Sequence, residues 1–196
     1  MQIILASASP RRHELLEQIG LSHRVVVSQV QETMHERMSP ERMAMDLAQQ
    51  KAQDVFGLIK DDVLVIGADT IVLLEKKVLG KPSDLADASK MLQMLAGRTH
   101  EVLTGVSLIH PLCETSFFVR TTVKMVPYTK PLFDAYLASG EPFDKAGSYG
   151  IQGKGALLVE SIQGDYFNVV GLPLATLCRV LEKDFGVSVY PNWKRE

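Results

Sequence analysis

A chain of 196 residues, 46% hydrophobic and 22% charged, has the make-up of a globular protein long enough to bury its own core, and a single domain over residues 1–196 is expected. A formal net charge of -2 offers no basic field for a nucleic-acid backbone, so any phosphate site must be local. Cys113 and Cys178 form neither a CxxC pair nor a Cys/His cluster and fit a reducing cytoplasm, the first residues lack the basic stretch of a signal peptide, and no apolar run is long enough for a bilayer.

Residues 3–6 form a short apolar run that reads as a buried strand entering a loop. Ser9 then stands as an N-cap and Pro10 as the first residue of a helix with Leu15, Leu16 and Ile19 on its apolar stripe and Gly20 at its stop. Residues 25–27 read as a second strand, followed by a polar stretch holding Glu32, His35, Glu36 and Arg37. Ser39 and Pro40 repeat the cap-then-proline start, and Met43, Leu47 and Val55, with Ala44, Ala48 and Ala52 between them, carry a helix to about Phe56 with Lys51 on it. The β-prone run 63–66 ends in Gly67-Ala68-Asp69-Thr70, and residues 71–74 read as another strand before the turn at Glu75.

After the breaker Gly80-Lys81-Pro82, Ser83 or Asp84 can cap a helix that Gly97 stops. Residues 99–109 and 115–126 are rich in β-branched and aromatic side chains around Pro111 and predict a long antiparallel pair. A short helix over 132–138 leads into the glycine-dense segment 146–155. Residues 156–162 and 166–170 read as a hairpin turning at Gln163-Gly164-Asp165, and 172–181 as the last amphipathic helix. Interleaved helices and strands with hairpins predict a mixed α/β fold.

Ser7 to Arg12 join a strand to a helix start, where free N–H groups, hydroxyls and a guanidinium can hold an anion; the same residues also read as a Ser-Pro helix start followed by solvated arginines. Asp69 is expected at the carboxyl end of a strand, able to bind a divalent cation or take a proton from water, or else as a turn aspartate. Glu32, Lys51 and Lys81 are single charges whose use depends on convergence in space. Tyr149 and Gln152, in the glycine-dense segment, can stack on or hydrogen-bond a base edge, or the glycines form a tight corner of the sheet. The histidines show no metal-ligand spacing, there is no Gly-x-Ser-x-Gly elbow, and Cys178 lies in a helix stripe, which argues against serine or cysteine nucleophiles.

Together, Leu-Ala-Ser-Ala-Ser-Pro-Arg-Arg from Leu5, Gly-Ala-Asp-Thr from Gly67, Gly-Lys-Pro from Gly80 and Gly-Arg-Thr-His from Gly97 occur in a telling order. They are followed by Asp-Lys-Ala-Gly-Ser-Tyr-Gly-Ile-Gln-Gly from Asp144 and Val-Val-Gly-Leu-Pro-Leu from Val169. The set resembles the Maf family of nucleoside triphosphate pyrophosphatases. The resemblance implies a mixed α/β fold of the inosine triphosphatase superfamily, with an elongated twisted sheet flanked by helices and two lobes around a central cleft, in a homodimer. It implies a divalent metal, normally magnesium with manganese as an option, held by Asp69 and Glu32; Asp69, Glu32, Lys51 and Lys81 as catalytic positions; and Ser7 and Arg12 on the phosphates. Arg11, Thr70 and Gln152 match positions that separate substrate subgroups, and Thr70 with Gln152 is the pattern for dTTP and UTP, cleaved to the monophosphate and pyrophosphate. Hydrolysis of 7-methyl-GTP or a modified nucleotide, or a non-catalytic nucleotide-binding role in cell division, are the alternatives. No nucleic-acid or membrane partner is expected.

Overall fold

The structure is a computed structural model and describes residues 1–33, 38–59 and 62–190. His35, Glu36 and Arg37 of the polar stretch lie outside the described residues. The strands are β1 (Gln2–Ala6), β2 (Arg24–Val25), β3 (Val63–Leu74), β4 (Lys77–Leu79), β5 (Thr99–His110), β6 (Cys113–Met125) and β7 (Val159–Gln163). The helices are α1 (Pro10–Gln18), α2 (Pro40–Leu58), α3 (Leu85–Leu95), α4 (Lys130–Ala138), α5 (Tyr166–Val170) and α6 (Leu174–Phe185). Hydrogen bonding orders the sheet β2-β1-β3-β5-β6-β7, with β4 beside β3. β1 runs parallel to both β2 and β3, whereas β4 and β7 pair antiparallel, so the sheet is mixed. The connection of β5 to β6 through Pro111 and Leu112 is short enough for an antiparallel neighbour only. Among the described residues no helix is long and apolar enough to cross a membrane.

The chain divides into two compact units, the first made of Met1–Asp69, Thr104–Val119 and Gly171–Glu196, the second of Thr70–Leu103 and Arg120–Val170. In the first, Ile4, Ala6, Ala52, Val55, Val63, Val65 and Ile109 form a buried cluster. The approach of α2 to the sheet there is set by small residues. Ala44, Ala48 and Ala52 recur at helical i, i+4 spacing on one face and are fully buried. Opposite them stand Gly67 and Gly105: a side-chain carbon at Gly67 would lie 2.2 Å from the Ala48 carbonyl oxygen, and one at Gly105 would lie 2.2 Å from that of Ala44. The second unit packs Leu92 and Leu95 of α3, Phe133 and Tyr136 of α4, and Tyr149 against Val72, Val102, Val123 and Met125.

Several sequence expectations need correction. Residues 63–66 and 71–74 are not separate strands but one 12-residue strand. Asp69 therefore does not end a strand; it lies inside β3, just beyond the last residue paired with β1 and before the first paired with β4. The β-prone run simply continues through Gly67-Ala68, whose small side chains leave extended backbone intact. Residues 166–170 are a helical turn rather than a strand, because Asp165 accepts from the amides of Phe167 (2.8 Å) and Asn168 (3.3 Å) and so starts a helix. Ser9 precedes α1 but its side chain makes no cap bond, whereas the anticipated caps at Ser39 and Asp84 do. The glycine-dense segment forms short 3-10 turns, Ala146–Ser148 and Gly153–Leu158, in place of a hairpin corner.

Candidate active site

In the first unit, β1 is flanked by β2 on one side and β3 on the other, so the chain reverses its direction of travel through the sheet at β1. The crevice outside the carboxyl ends of parallel strands at such a reversal is where open α/β sheets place ligands. Ser7 follows the last residue of β1, and Asp69 follows the stretch of β3 that pairs with it through Ala6 and Gly67. Because side chains alternate along a strand, Asp69 shares the face of Gly67, which is the face that α2 touches. Lys51, one helical turn beyond Ala48, is thereby brought onto it.

The Lys51 ammonium donates to Asp69 Oδ1 in a short contact and lies 3.0 Å from Glu32 Oε1. Lys51 and Asp69 side chains are only 15% and 16% exposed, so their attraction is weakly screened, while Glu32 at 45% sits on the solvent side. The segment carrying Glu32 is tied to the same helix on both flanks. Asp54 accepts from the Ser28 hydroxyl (2.7 Å) and the Gln29 amide (2.8 Å), bonds that hold its carboxyl below the usual carboxylate range. Beyond Glu32, Gln50 accepts from the Thr33 amide (3.0 Å) and donates to the Thr33 carbonyl (2.9 Å).

Arg12, on the first turns of α1, donates from Nη1 to Ser7 Oγ (3.2 Å) and from Nε to the Gly171 carbonyl (2.8 Å). Ser7 Oγ also accepts from the Ser9 amide at 3.1 Å, so the hydroxyl takes two bonds as acceptor and keeps its own proton to donate. Gly171, whose carbonyl accepts from the guanidinium, has a φ of 127°, a conformation that favours glycine. Burial lowers the Arg12 pKa, the positive charge of Arg11 acts in the same direction, and Asp69 and Glu32 oppose both. The cations and carboxylates of this unit thus share one electrostatic neighbourhood.

Ser7, Arg11, Arg12, Glu32, Lys51 and Asp69 all belong to the first unit; Thr70, Lys81 and Gln152 belong to the second. There the exposed Lys81 follows Gly80, whose carbonyl accepts from the Gly147 amide at 2.9 Å, so the Gly-Lys-Pro loop is fastened to the glycine-dense segment that carries the half-buried Gln152. Cys178 is half-buried in α6 with its thiol pushed up by burial and then by Glu182, which keeps it protonated and unreactive.

Two roles escaped sequence reasoning. Asp54 and Gln50 carry no motif, and their function as anchors of the Glu32 segment is visible only in space. Gly171 stood in a quoted motif, yet its partner Arg12 is 159 positions away. A magnesium ion suits the donor set. Asp69 and Glu32 are hard oxygen donors held close together on one ammonium, and magnesium takes one or two carboxylates with water and substrate phosphate oxygens completing its shell. Among the described residues no group of three or more His, Cys, Asp or Glu side chains forms a fuller cage.

A family model described as Maf-like protein matches residues 2–184. The dTTP/UTP pyrophosphatase of Bacillus thuringiensis subsp. konkukian is 52% identical over 188 residues, 96% of this chain and 97% of its own. The protein of the same name from Bacillus cereus is 53% identical over 96% of this chain and 92% of its own. The solved structure of the Ham1 protein of Staphylococcus aureus aligns with a TM-score of 0.54 at 16% identity, over 94% of this chain and all of its own, which is a likeness of fold. Motifs, architecture and matches along the whole chain agree: the protein is a member of the Maf family.

Proposed function

We propose that this protein hydrolyses dTTP and UTP at the α-phosphorus, releasing the nucleoside monophosphate and pyrophosphate, with a divalent cation, normally magnesium, as cofactor. The observation that carries the reading is the Lys51-bridged pair of Asp69 and Glu32 beside Arg12 and Ser7, just beyond the point where the parallel pairing of β1 and β3 ends. Relatives of similar length and about half-identical sequence bear the name of that activity.

In this reading Arg12, fixed at two nitrogens, and the Ser7 hydroxyl hold phosphate oxygens. Asp69, oriented by its contact with Lys51, accepts a proton from the attacking water. Lys81 offsets charge on the departing pyrophosphate. Asp69 and Glu32 would hold a magnesium ion, which when bound would neutralise charge on the phosphate oxygens. Arg11, Thr70 and Gln152 set the substrate, with the Gln152 amide offering a uracil or thymine edge both a donor and an acceptor. The family resemblance supports a homodimer that limits surplus or non-standard nucleotides, and the cysteine pattern supports a cytoplasmic location.

Incubation with magnesium and dTTP, UTP, CTP, GTP or 7-methyl-GTP, assayed for both pyrophosphate and orthophosphate, tests this directly. Pyrophosphate from dTTP and UTP ahead of the others is the expected result. A preference for 7-methyl-GTP, or nucleotide binding with no turnover, overturns it.

A further inference from the structure

The second unit holds a polar arrangement that none of the proposed chemical steps uses. His100, in the Gly-Arg-Thr-His motif on β5, lies with Nε2 2.7 Å from the Tyr149 hydroxyl, both rings buried and edge-on at 5.3 Å between centroids. The neighbouring Gly150 amide donates to the Tyr136 hydroxyl of α4 at 3.1 Å. A side-chain carbon at Gly155 would stand 2.1 Å from the Gly150 carbonyl oxygen, so the next turn is stacked backbone on backbone against the same residue.

Upstream, Gly147 and Ser148 take consecutive left-handed conformations, φ 68° and 63°. For a serine this is strained backbone, held only where its surroundings over-determine it. They do: Gly147 N–H donates to Gly80, Ser148 N–H donates to Lys145 (3.1 Å), and the Ser148 hydroxyl meets Met91 Sδ at 3.2 Å. Gly147 also rests on Val72, which a side-chain carbon there would meet at 3.1 Å.

The cost of the His-Tyr pair argues against a packing role. Tyr149 and Tyr136 belong to a cluster whose other members are apolar, yet His100 leaves Nδ1 without a hydrogen-bond partner among the described residues, and burial pushes its pKa down to about 4. An apolar pair of similar size would stabilise such a core more, whereas directional bonds fix position. What lies at the end of the fixed segment is Gln152, two residues beyond Gly150.

We infer that His100 and Tyr136 are positioning residues that hold Tyr149 and Gly150 in place and thereby set where Gln152 meets the base, making them determinants of base selectivity. The inference rests on the pyrimidine reading above.

Tyr149→Phe and Tyr136→Phe each delete one oxygen while keeping the ring that packs. In each, KM for UTP and dTTP is expected to rise about 5- to 20-fold, the loss expected for one buried hydrogen bond, with kcat within about 3-fold and the preference for UTP over CTP falling by a similar factor as KM rises. Amide exchange over residues 149–153 should speed up in parallel. Variants that lose thermal stability but keep the parent KM and base preference overturn the inference while leaving the pyrimidine reading intact. A parent enzyme that does not hydrolyse UTP or dTTP overturns both.

Discussion

Lys51 reaches Asp69 because Ala48, one turn earlier on α2, touches Gly67, two residues earlier on β3. The contact fixes how close the helix lies to the strand, and the alternation of strand side chains then turns Asp69 toward it. Gly67→Ala places a methyl 2.2 Å from the Ala48 carbonyl oxygen, backbone that cannot yield cheaply. A loss of about 2–4 kcal/mol in urea unfolding is expected, with pyrophosphatase activity falling at least 100-fold in whatever folds. An unchanged unfolding midpoint would show that the helix does not need this approach.

Asp54 anchors the segment that carries Glu32 and touches no proposed substrate or metal position. In Asp54→Ala the Ser28 hydroxyl and Gln29 amide lose their acceptor, and Glu32 keeps its tie to α2 through Lys51 and the Gln50–Thr33 bonds but loses the anchor on its N-terminal flank. The magnesium concentration for half-maximal rate should rise several-fold, with the rate at saturating magnesium near the parent's. Equal magnesium dependence in parent and variant would remove the anchoring role.

Arg12 makes directed bonds from two nitrogens of one planar group, which a lysine cannot reproduce. Arg12→Lys keeps the charge and should still raise KM for UTP about 10- to 100-fold. Steady-state kinetics decide it: a KM within 2-fold of the parent means that charge alone suffices.

His100 gives the fold a pH dependence with a definite sign. Burial lowers its pKa from 6.5 to about 4, so between those values the unfolded chain binds a proton that the folded chain refuses. Stability from this group is complete above about pH 6.5 and is lost as the pH falls toward 4, amounting to about 2 kcal/mol between pH 7 and 5. His100→Phe should flatten that part of the curve in urea unfolding at the two pH values. A variant with the parent's slope would assign the dependence to other groups.

The elements that sequence periodicity and capping predicted best are those with strong local signals. α2 follows its proline start and its alanine spacing, and α3 its Asp84 cap. Two misreadings share a cause, since the deciding interactions are non-local or compete with propensity. Residues 166–170 are β-prone, yet Asp165 caps a helical turn, and Asn168 is buried by donating to the Val102 carbonyl and Thr121 hydroxyl, each at 3.0 Å. Asp69 follows a β-prone run that a sheet interior would bury and so is expected at a strand end, but Gly67 serves the close approach of α2 and the strand continues unbroken through it. The convergence of Glu32 and Lys51 on Asp69 had no signal in spacing; the motif resemblance pointed to the residues, and only the packing of α2 explains how they meet.

Hydrolysis of UTP in water enriched in oxygen-18, followed by mass spectrometry of both products, addresses the central chemistry in one measurement. Attack on the α-phosphorus predicts labelled UMP with unlabelled pyrophosphate, and Asp69→Asn should slow its appearance by about 100- to 10,000-fold. UDP with labelled orthophosphate, or an Asp69→Asn variant as fast as the parent, would contradict the account.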